Sequence, residues 1–443
     1  MLQVFRSLYI KPRTFIALGL LIFLFILSFV YTGLFRLSQL LLLVLVLSVL
    51  LDGILLFRSN KIKASRILPE KLSNGDDNPI EIKIQNQYNF NLDISLIDEL
   101  PIQYQERNFE IITKIPKNGK RKLNYRIRPK ERGEYHFGKL NIYVSSPLGL
   151  LSKRYVFGQN EMVPNYPSFL QLKKYMLIAF SNRISEFGLK KIRKIGHTME
   201  FEQIKDYVKG DDIRTINWKA TAKSNKLMVN QYQDERSQPI YSVIDKGRVM
   251  KMPFAGLSLL DYAINATLVI SNVALKKQDK DGLFSFYRKV ENAVIAQKRP
   301  SQMNLIMETL YNLKTDFAES DFSRLYIDLK RRLTQRSLVL LYTNFETLDA
   351  LHRQLPYLQG IAKNHVLVVI FFENTELDQL IHSKEKTTQQ IFDKIIAQKF
   401  AYEKKLIVNE LQKYGIQTIL TAPQDLTINT INKYLEIKAR GLI

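Results

Sequence analysis

Cysteine is absent from all 443 residues, which excludes disulfides, cysteine–zinc sites and thiol nucleophiles. Tryptophan occurs once, as Trp218, and histidine five times, as His136, His197, His352, His365 and His382. The histidines form no HExxH pair and no metal-ligand spacing. No GxxxxGK[ST] loop occurs, so the chain is not itself a P-loop ATPase, and neither a GxGxxG helix opening nor a GxSxG elbow appears. Acidic residues are the scarcer charge, 42 against 65 Lys and Arg, for a net +23. That excess favours anionic partners: acidic lipid, nucleic acid or an acidic protein. No RNA-binding pattern of interleaved aromatics accompanies it, so nucleic acid ranks low.

What the chain does have begins with two long apolar runs. Thr14–Tyr31 carries no charge and Leu37–Phe57 carries one, Asp52, near its end. At about 1.5 Å per residue each predicts a membrane-crossing helix. The short break at 31–36 makes residues 1–60 a transmembrane hairpin, with spans about 14–31 and 37–57. No small-residue cleavage site follows Tyr31, which argues against a signal peptide. Arg6, Lys11 and Arg13 precede the first span, and Arg58, Lys61, Lys63 and Arg66 follow the second, whereas the connecting loop has only Arg36. The positive-inside rule then places both termini and the soluble domains on the cytoplasmic side of the plasma (inner) membrane. Asp52 lies close enough to the interface to reach head groups.

Residues 61–165 alternate apolar and polar, as in Ile80–Ile84, Leu92–Leu96 and Leu140–Val144. With turn signals such as Lys117-Asn-Gly119, they predict about seven short strands and an immunoglobulin-like β-sandwich. Arg107–Lys139 holds eleven Lys and Arg against three Glu, read as a solvated strand face, with a membrane-facing or partner-facing basic surface as the competing account. Residues 166–195 form a basic linker: Lys173–Lys194 has seven Lys and Arg and one Glu.

Beyond Pro239 the pattern becomes α/β. Ile240–Asp245, Ser337–Tyr342 and His365–Phe372 read as strands buried on both faces, each followed by helical periodicity. Leu283–Tyr287 and Ala293–Ala296 read as a strand pair. A parallel sheet covered on both sides follows, with its functional edge at the carboxyl ends of the strands. That rim would gather Asp245, Asn344 and Glu373.

Between these halves lies 196–238, which opens with the densest cluster of unusual choices, Gly196–Lys223. Gly210 permits a sharp turn, and Asp212 suits the N-cap of a helix Ile213–Lys223. Trp218 would share a face with Arg214 and pack against the sheet. On that expectation, Trp218→Ala costs the ~3–5 kcal/mol of a buried aromatic. The acids Glu200, Asp206, Asp211 and Asp212 sit among many Lys and Arg, so salt bridges are favoured over hydrolytic carboxylates.

Glu200-Phe201, Tyr207-x-x-Gly210-Asp211 and Arg214-x-Ile216-Asn217-Trp218-Lys219-x-Thr221-Ala222-Lys223 resemble the signature of the bacterial family called "domain of unknown function 58". That signature reads E-F, then R-x-Y-x-x-G-D, then R-x-I-D-W-K-x-S-A-R. Lys205, Asn217, Thr221 and Lys223 replace its Arg, Asp, Ser and Arg. The resemblance implies two membrane spans, a β-rich segment, the motif, and a von Willebrand factor A-like domain over 239–443. It also implies a MoxR-type AAA+ ATPase partner and a role in assembling or activating other complexes, with Glu200, Phe201, Tyr207, Gly210, Asp211, Asp212, Arg214, Trp218 and Lys219 as signature or docking residues.

Von Willebrand A-like domains often hold Mg²⁺ in a site begun by Asp-x-Ser-x-Ser. Here the run is Asp245-Lys246-Gly247-Arg248-Val249, with both serines lost, two positive charges added, and Asn344 at the later acidic position. This degenerate rim disfavours Mg²⁺ at Asp245 and leaves the place to a Lys or Arg side chain, or to an acidic peptide group. No other cofactor and no catalytic set is implied. The leading expectation is a membrane-anchored, non-enzymatic interaction protein. The alternatives are a metal-dependent adhesion module or hydrolase using Asp245, and a binder of anionic lipid or nucleic acid.

Overall fold

The computed structural model describes residues 7–31, 33–58, 62–106, 109–158, 160–172, 175, 200–208, 211, 213–224, 226–233, 237–382 and 387–442. The predicted basic linker, Gly196, His197, Gly210 and Asp212 lie outside or largely outside these residues. Two compact units form, Met1–Tyr166 and Pro167–Ile443.

The first unit opens with strand β1 (Leu8–Ile10) and two apolar helices, α1 (Pro12–Ser28) and α2 (Gly33–Phe57). Only α2, at 25 residues, is long and apolar enough to cross a membrane; α1 is apolar but has 17 residues. The two are joined by a short turn and touch through Phe25 and Phe35. Ten further strands follow: β2 (Ile62–Ile67), β3 (Leu72–Ser73), β4 (Asn78–Asn86), β5 (Leu92–Asp98), β6 (Glu110–Ile115), β7 (Lys120–Ile127), β8 (Gly133–Phe137), β9 (Leu140–Ser145), β10 (Leu151–Phe157) and β11 (Glu161–Tyr166). They make a five-stranded sheet, β1-β10-β9-β5-β6, and two three-stranded sheets, β2-β4-β7 and β3-β11-β8.

Period-two burial is clearest in β4 and β5, where alternate residues vanish into the core. Ile82 and Ile84 of one sheet share a core with Leu92, Ile94, Ile142 and Val144 of the other, so the strands form a sandwich. The basic face of β6 and β7 is solvated. Lys114 reaches Asp93 and Lys122 reaches Glu81 across strands, both at 3.6–3.7 Å and both well exposed, pairs of small energetic weight.

Asp52 does not face head groups. It is fully buried and accepts hydrogen bonds from Ser146 Oγ and from the Leu150 and Leu151 amides, the latter at 3.0 and 2.8 Å. A carboxylate placed one and a half turns from the end of an apolar helix is tolerated because the β9–β10 loop supplies its donors. Thr14 Oγ1 donates to Leu150 O, and β1 pairs with β10, so both helices are fastened to the same loop and strand.

The second unit contains a two-stranded ladder, β12 (Glu200–Asp206) with β13 (Met228–Gln233), enclosing helix α3 (Trp218–Ser224). A six-stranded sheet follows. Its strands are β14 (Pro239–Asp245), β17 (Lys280–Phe286), β18 (Val290–Gln297), β19 (Leu338–Tyr342), β20 (Val366–Phe372) and β21 (Gln417–Thr421), ordered β18-β17-β14-β19-β20-β21. A small hairpin, β15 (Pro253–Phe254) with β16 (Leu257–Ser258), precedes the first helix. All pairings in the six-stranded sheet are parallel except β17–β18, so the sheet is mixed, with an antiparallel edge. Every residue of β14 and β20 is buried, as strands covered on both faces require.

One face packs on α4 (Leu259–Lys276), α5 (Gln302–Tyr311) and the closing helix α10 (Leu426–Ala439). The other packs on α6 (Phe322–Arg332), α7 (Leu348–Asn364) and α9 (Thr388–Lys413), with the short α8 (Thr375–His382) between β20 and α9. Ser258 and Asp261 cap α4 reciprocally.

Candidate functional site

Two regions draw on the residues singled out in the sequence: the motif around α3, and the carboxyl edge of the six-stranded sheet.

In the motif, the polar positions serve the local fold. Lys205 Nζ donates to Asp211 at 2.9 Å, holding that exposed carboxyl below its usual range, and Asp211 also accepts the Val208 amide. The Asn217 side chain accepts from Ala220 N at 3.0 Å and donates to Asn230 at 2.8 Å. Thr221 Oγ1 accepts from Met228 N at 3.0 Å, and Tyr207 N bonds Leu227 O. At three of the positions that depart from the signature, the residue present is hydrogen-bonded: Lys205 pairs with Asp211, Asn217 caps α3, and Thr221 accepts a backbone N–H.

Two expectations are corrected. The helix does not run from Ile213 under an Asp212 cap. Ile213–Thr215 is a 3₁₀ turn, Ile216 bridges to Val229, Asn217 N bonds Met228 O, and α3 begins at Trp218 with Asn217 as its cap. The bridge holds 216–217 extended, so a helix can start only after it. Trp218 in consequence sits in the first turn with its ring outward, 70% exposed, and Arg214 belongs to the preceding 3₁₀ turn, not to α3. Val208 and Ile213 are also exposed, as is Lys219. Glu200 and Phe201 pair through their backbones with Gln233 and Tyr232.

At the sheet edge, the parallel register brings the ends of β14, β19 and β20 together, with Asp245, Thr343-Asn344 and Glu373 following one another across the rim. Asp245 is buried and saturated. One carboxylate oxygen accepts from Gly247 N at 2.8 Å and from Ser320 Oγ, the other from Thr343 Oγ1 at 2.7 Å. Burial pushes its pKa up, and the Ser320, Gly247 and Thr343 donors pull against that shift. A Cβ on Gly247 would collide with the Ser320 hydroxyl, so glycine is what lets the 318–320 loop close over the carboxylate. Ser320 was invisible in the sequence pattern because it lies 75 residues from Asp245.

These residues do not fit the magnesium site of von Willebrand A-like domains that the resemblance brings to mind. The donors are one enclosed carboxylate and two hydroxyls that already donate to it, and no group of three His, Asp or Glu gathers among the described residues. The neighbouring Lys246 ammonium is directed elsewhere: it pairs with Glu291 beside the Tyr287 ring.

Asn344 holds a residue that sequence reasoning missed. Lys404, from α9, donates to Asn344 Oδ1 at 2.6 Å and to Phe345 O, with its ammonium 5.7 Å from the Phe371 ring. Burial lowers its pKa to about 8, against a smaller opposing pull from Glu346. Beside it opens a cavity of about 900 Å³, walled by Met252, Phe254, Leu259, Phe372, Leu377, Phe400 and Leu420, with Glu346, Glu373 and Glu376 among its polar residues. The size and the apolar walls suit a ligand or an anchoring side chain.

Residues 203–379 match the family model described as "Protein of unknown function DUF58". The chain is also 25% identical over 126 residues to the "Uncharacterized protein YeaD" of Bacillus subtilis (strain 168), covering 28% of this chain. It spans only 31% of that relative's length. Similar solved structures include the ASH / PapD-like domain of human CEP192, at 12% identity and TM-score 0.18, covering 24% of this chain and 87% of that one. A CARDB domain from Pyrococcus furiosus, in complex with di-metal ions, is 10% identical with TM-score 0.19, covering 25% and 91% respectively.

Proposed function

We propose that the chain is a membrane-anchored interaction protein without catalytic activity of its own, which docks a MoxR-type AAA+ ATPase acting on a client complex. The observation that carries this reading is Trp218. The polar residues around it are consumed by the local fold, while the single tryptophan of the chain stands 70% exposed in their midst. Exposed tryptophan is characteristic of binding hot spots. The saturation of Asp245 supports a non-enzymatic role, since each of its oxygens is already engaged by an internal donor.

In this reading α1 and α2 form a hairpin that anchors the chain with both ends cytoplasmic, in keeping with the basic residues at its outer ends. The six-stranded domain is a degenerate von Willebrand factor A-like module. Co-purification of the full chain from detergent-solubilised membranes tests the proposal. An AAA+ ATPase should be recovered with the wild-type chain and lost with Trp218→Ala at unchanged thermal stability. Recovery of no ATPase, or equal recovery with the variant, would overturn it.

A further inference from the structure

The cavity beside Lys404 has a distribution of charge that the docking role of Trp218 leaves unused. The ammonium is part-buried, and its two oxygen acceptors, Asn344 Oδ1 and Phe345 O, are both neutral. An ammonium has three donors, so one N–H has no oxygen acceptor among the described residues. A cation enclosed by apolar walls gains most from an anion that arrives already desolvated. The same cavity is also lined by three acids, Glu346, Glu373 and Glu376, with Lys405 and His382 beside them.

We propose that this cavity receives the C-terminal end of a partner polypeptide, with the terminal carboxylate on Lys404, the last apolar side chain against Phe254, Phe372 and Leu377, and a basic residue upstream facing the glutamates. A chain end suits the site better than an internal acidic residue. An internal segment would bring backbone on both sides of the carboxylate into the apolar walls, where its amide groups would lack partners. The presence of both a cation and several acids in the lining argues equally against a simple fatty acid, which offers nothing to the glutamates.

The lowered pKa of Lys404, about 8, supports the geometry, because a carboxylate would return the ammonium to its protonated form. The site is on the six-stranded domain, and its occupant need not be the partner that contacts Trp218.

The test uses the full chain in lipid nanodiscs and the peptide acetyl-Arg-Gly-Leu-Phe, as free acid and as C-terminal amide, titrated by calorimetry. The acid should bind at least roughly tenfold more tightly than the amide near pH 7. Its advantage should fade as pH rises past about 8, where Lys404 loses its proton. Lys404→Met should erase the difference between acid and amide, and Lys404→Arg should restore part of it. Ala401→Trp, which fills the cavity, should weaken both peptides. Equal binding of acid and amide to the wild-type chain, survival of the difference in Lys404→Met, or no binding of either peptide at millimolar concentration overturns the proposal.

Discussion

Asp52 accepts the amide of Leu151 at 2.8 Å, although ninety-nine residues separate them. The contact sets the carboxyl end of an apolar helix onto the start of a sandwich strand, with the Leu150 amide and the Ser146 hydroxyl completing the site. Within this unit the helices are therefore fastened to the sandwich by polar groups, not merely tethered by chain.

Removing that carboxylate should show how much the fastening contributes. Asp52→Ala strands two backbone amides in a buried loop, at roughly 2–4 kcal/mol in total. Asp52→Asn keeps one acceptor and should cost about half as much. Thermal unfolding of the nanodisc-embedded chain, with proteolysis at the exposed Leu148 loop as a local probe, reads both. A melting curve unchanged by the alanine variant would show that the loop finds other acceptors.

Trp218→Ala should change stability by less than about 0.5 kcal/mol, because an exposed ring loses little on truncation. Asn217→Ala, one residue earlier, should cost about 1 kcal/mol through loss of the helix cap. Urea unfolding of the two variants should rank them in that order. The reverse order would mean that the ring is buried in the working protein.

Asp281 makes stability depend on pH. It is fully buried at the start of β17, and burial raises its pKa to about 7, with the nearby Ser271 hydroxyl opposing the shift and Asp279 adding to it. Below about pH 4 both folded and unfolded chains hold the proton. As pH rises from about 4 to 7 the unfolded chain ionises while the folded one resists, so stability falls; above about 7 the loss is constant. The penalty is on the order of 2–4 kcal/mol. Asp281→Asn should be more stable than wild type at pH 8 and nearly equal to it at pH 4, by denaturant unfolding across that range. A constant difference between the two proteins at all pH values would refute the assignment to Asp281.

Gly247→Ala should lower stability by roughly 1–3 kcal/mol, since its Cβ meets the Ser320 hydroxyl that caps Asp245. Gly247→Ala combined with Ser320→Gly should recover much of the loss. Differential scanning calorimetry of the pair checks this, and failure of the double variant to recover would place the strain elsewhere in the loop.

Much of the architecture was readable from local pattern. The apolar run behind α2, the period-two burial of β4 and β5, and the wholly apolar β14 and β20 each state their environment within a few residues, because side-chain periodicity is set by the backbone repeat. The placing of Asp245, Asn344 and Glu373 on one rim followed from parallel strands ending together. The motif was legible as a family signature, yet the start of α3 was misplaced, because the bridge from Ile216 to Val229 is a pairing between segments rather than a propensity of either.

Local pattern thus specifies which segments are apolar helix, alternating strand or buried strand, and where the stretch that resembles the family signature lies. Tertiary structure alone decided what the charged and aromatic residues do. It turned Asp52 toward the sandwich, enclosed Asp245 with Ser320 and Thr343, set Lys404 against Asn344, and left Trp218 in solvent. The reason is physical: burial and hydrogen-bond satisfaction of a polar group depend on donors brought from distant positions, and no local periodicity encodes which distant position arrives.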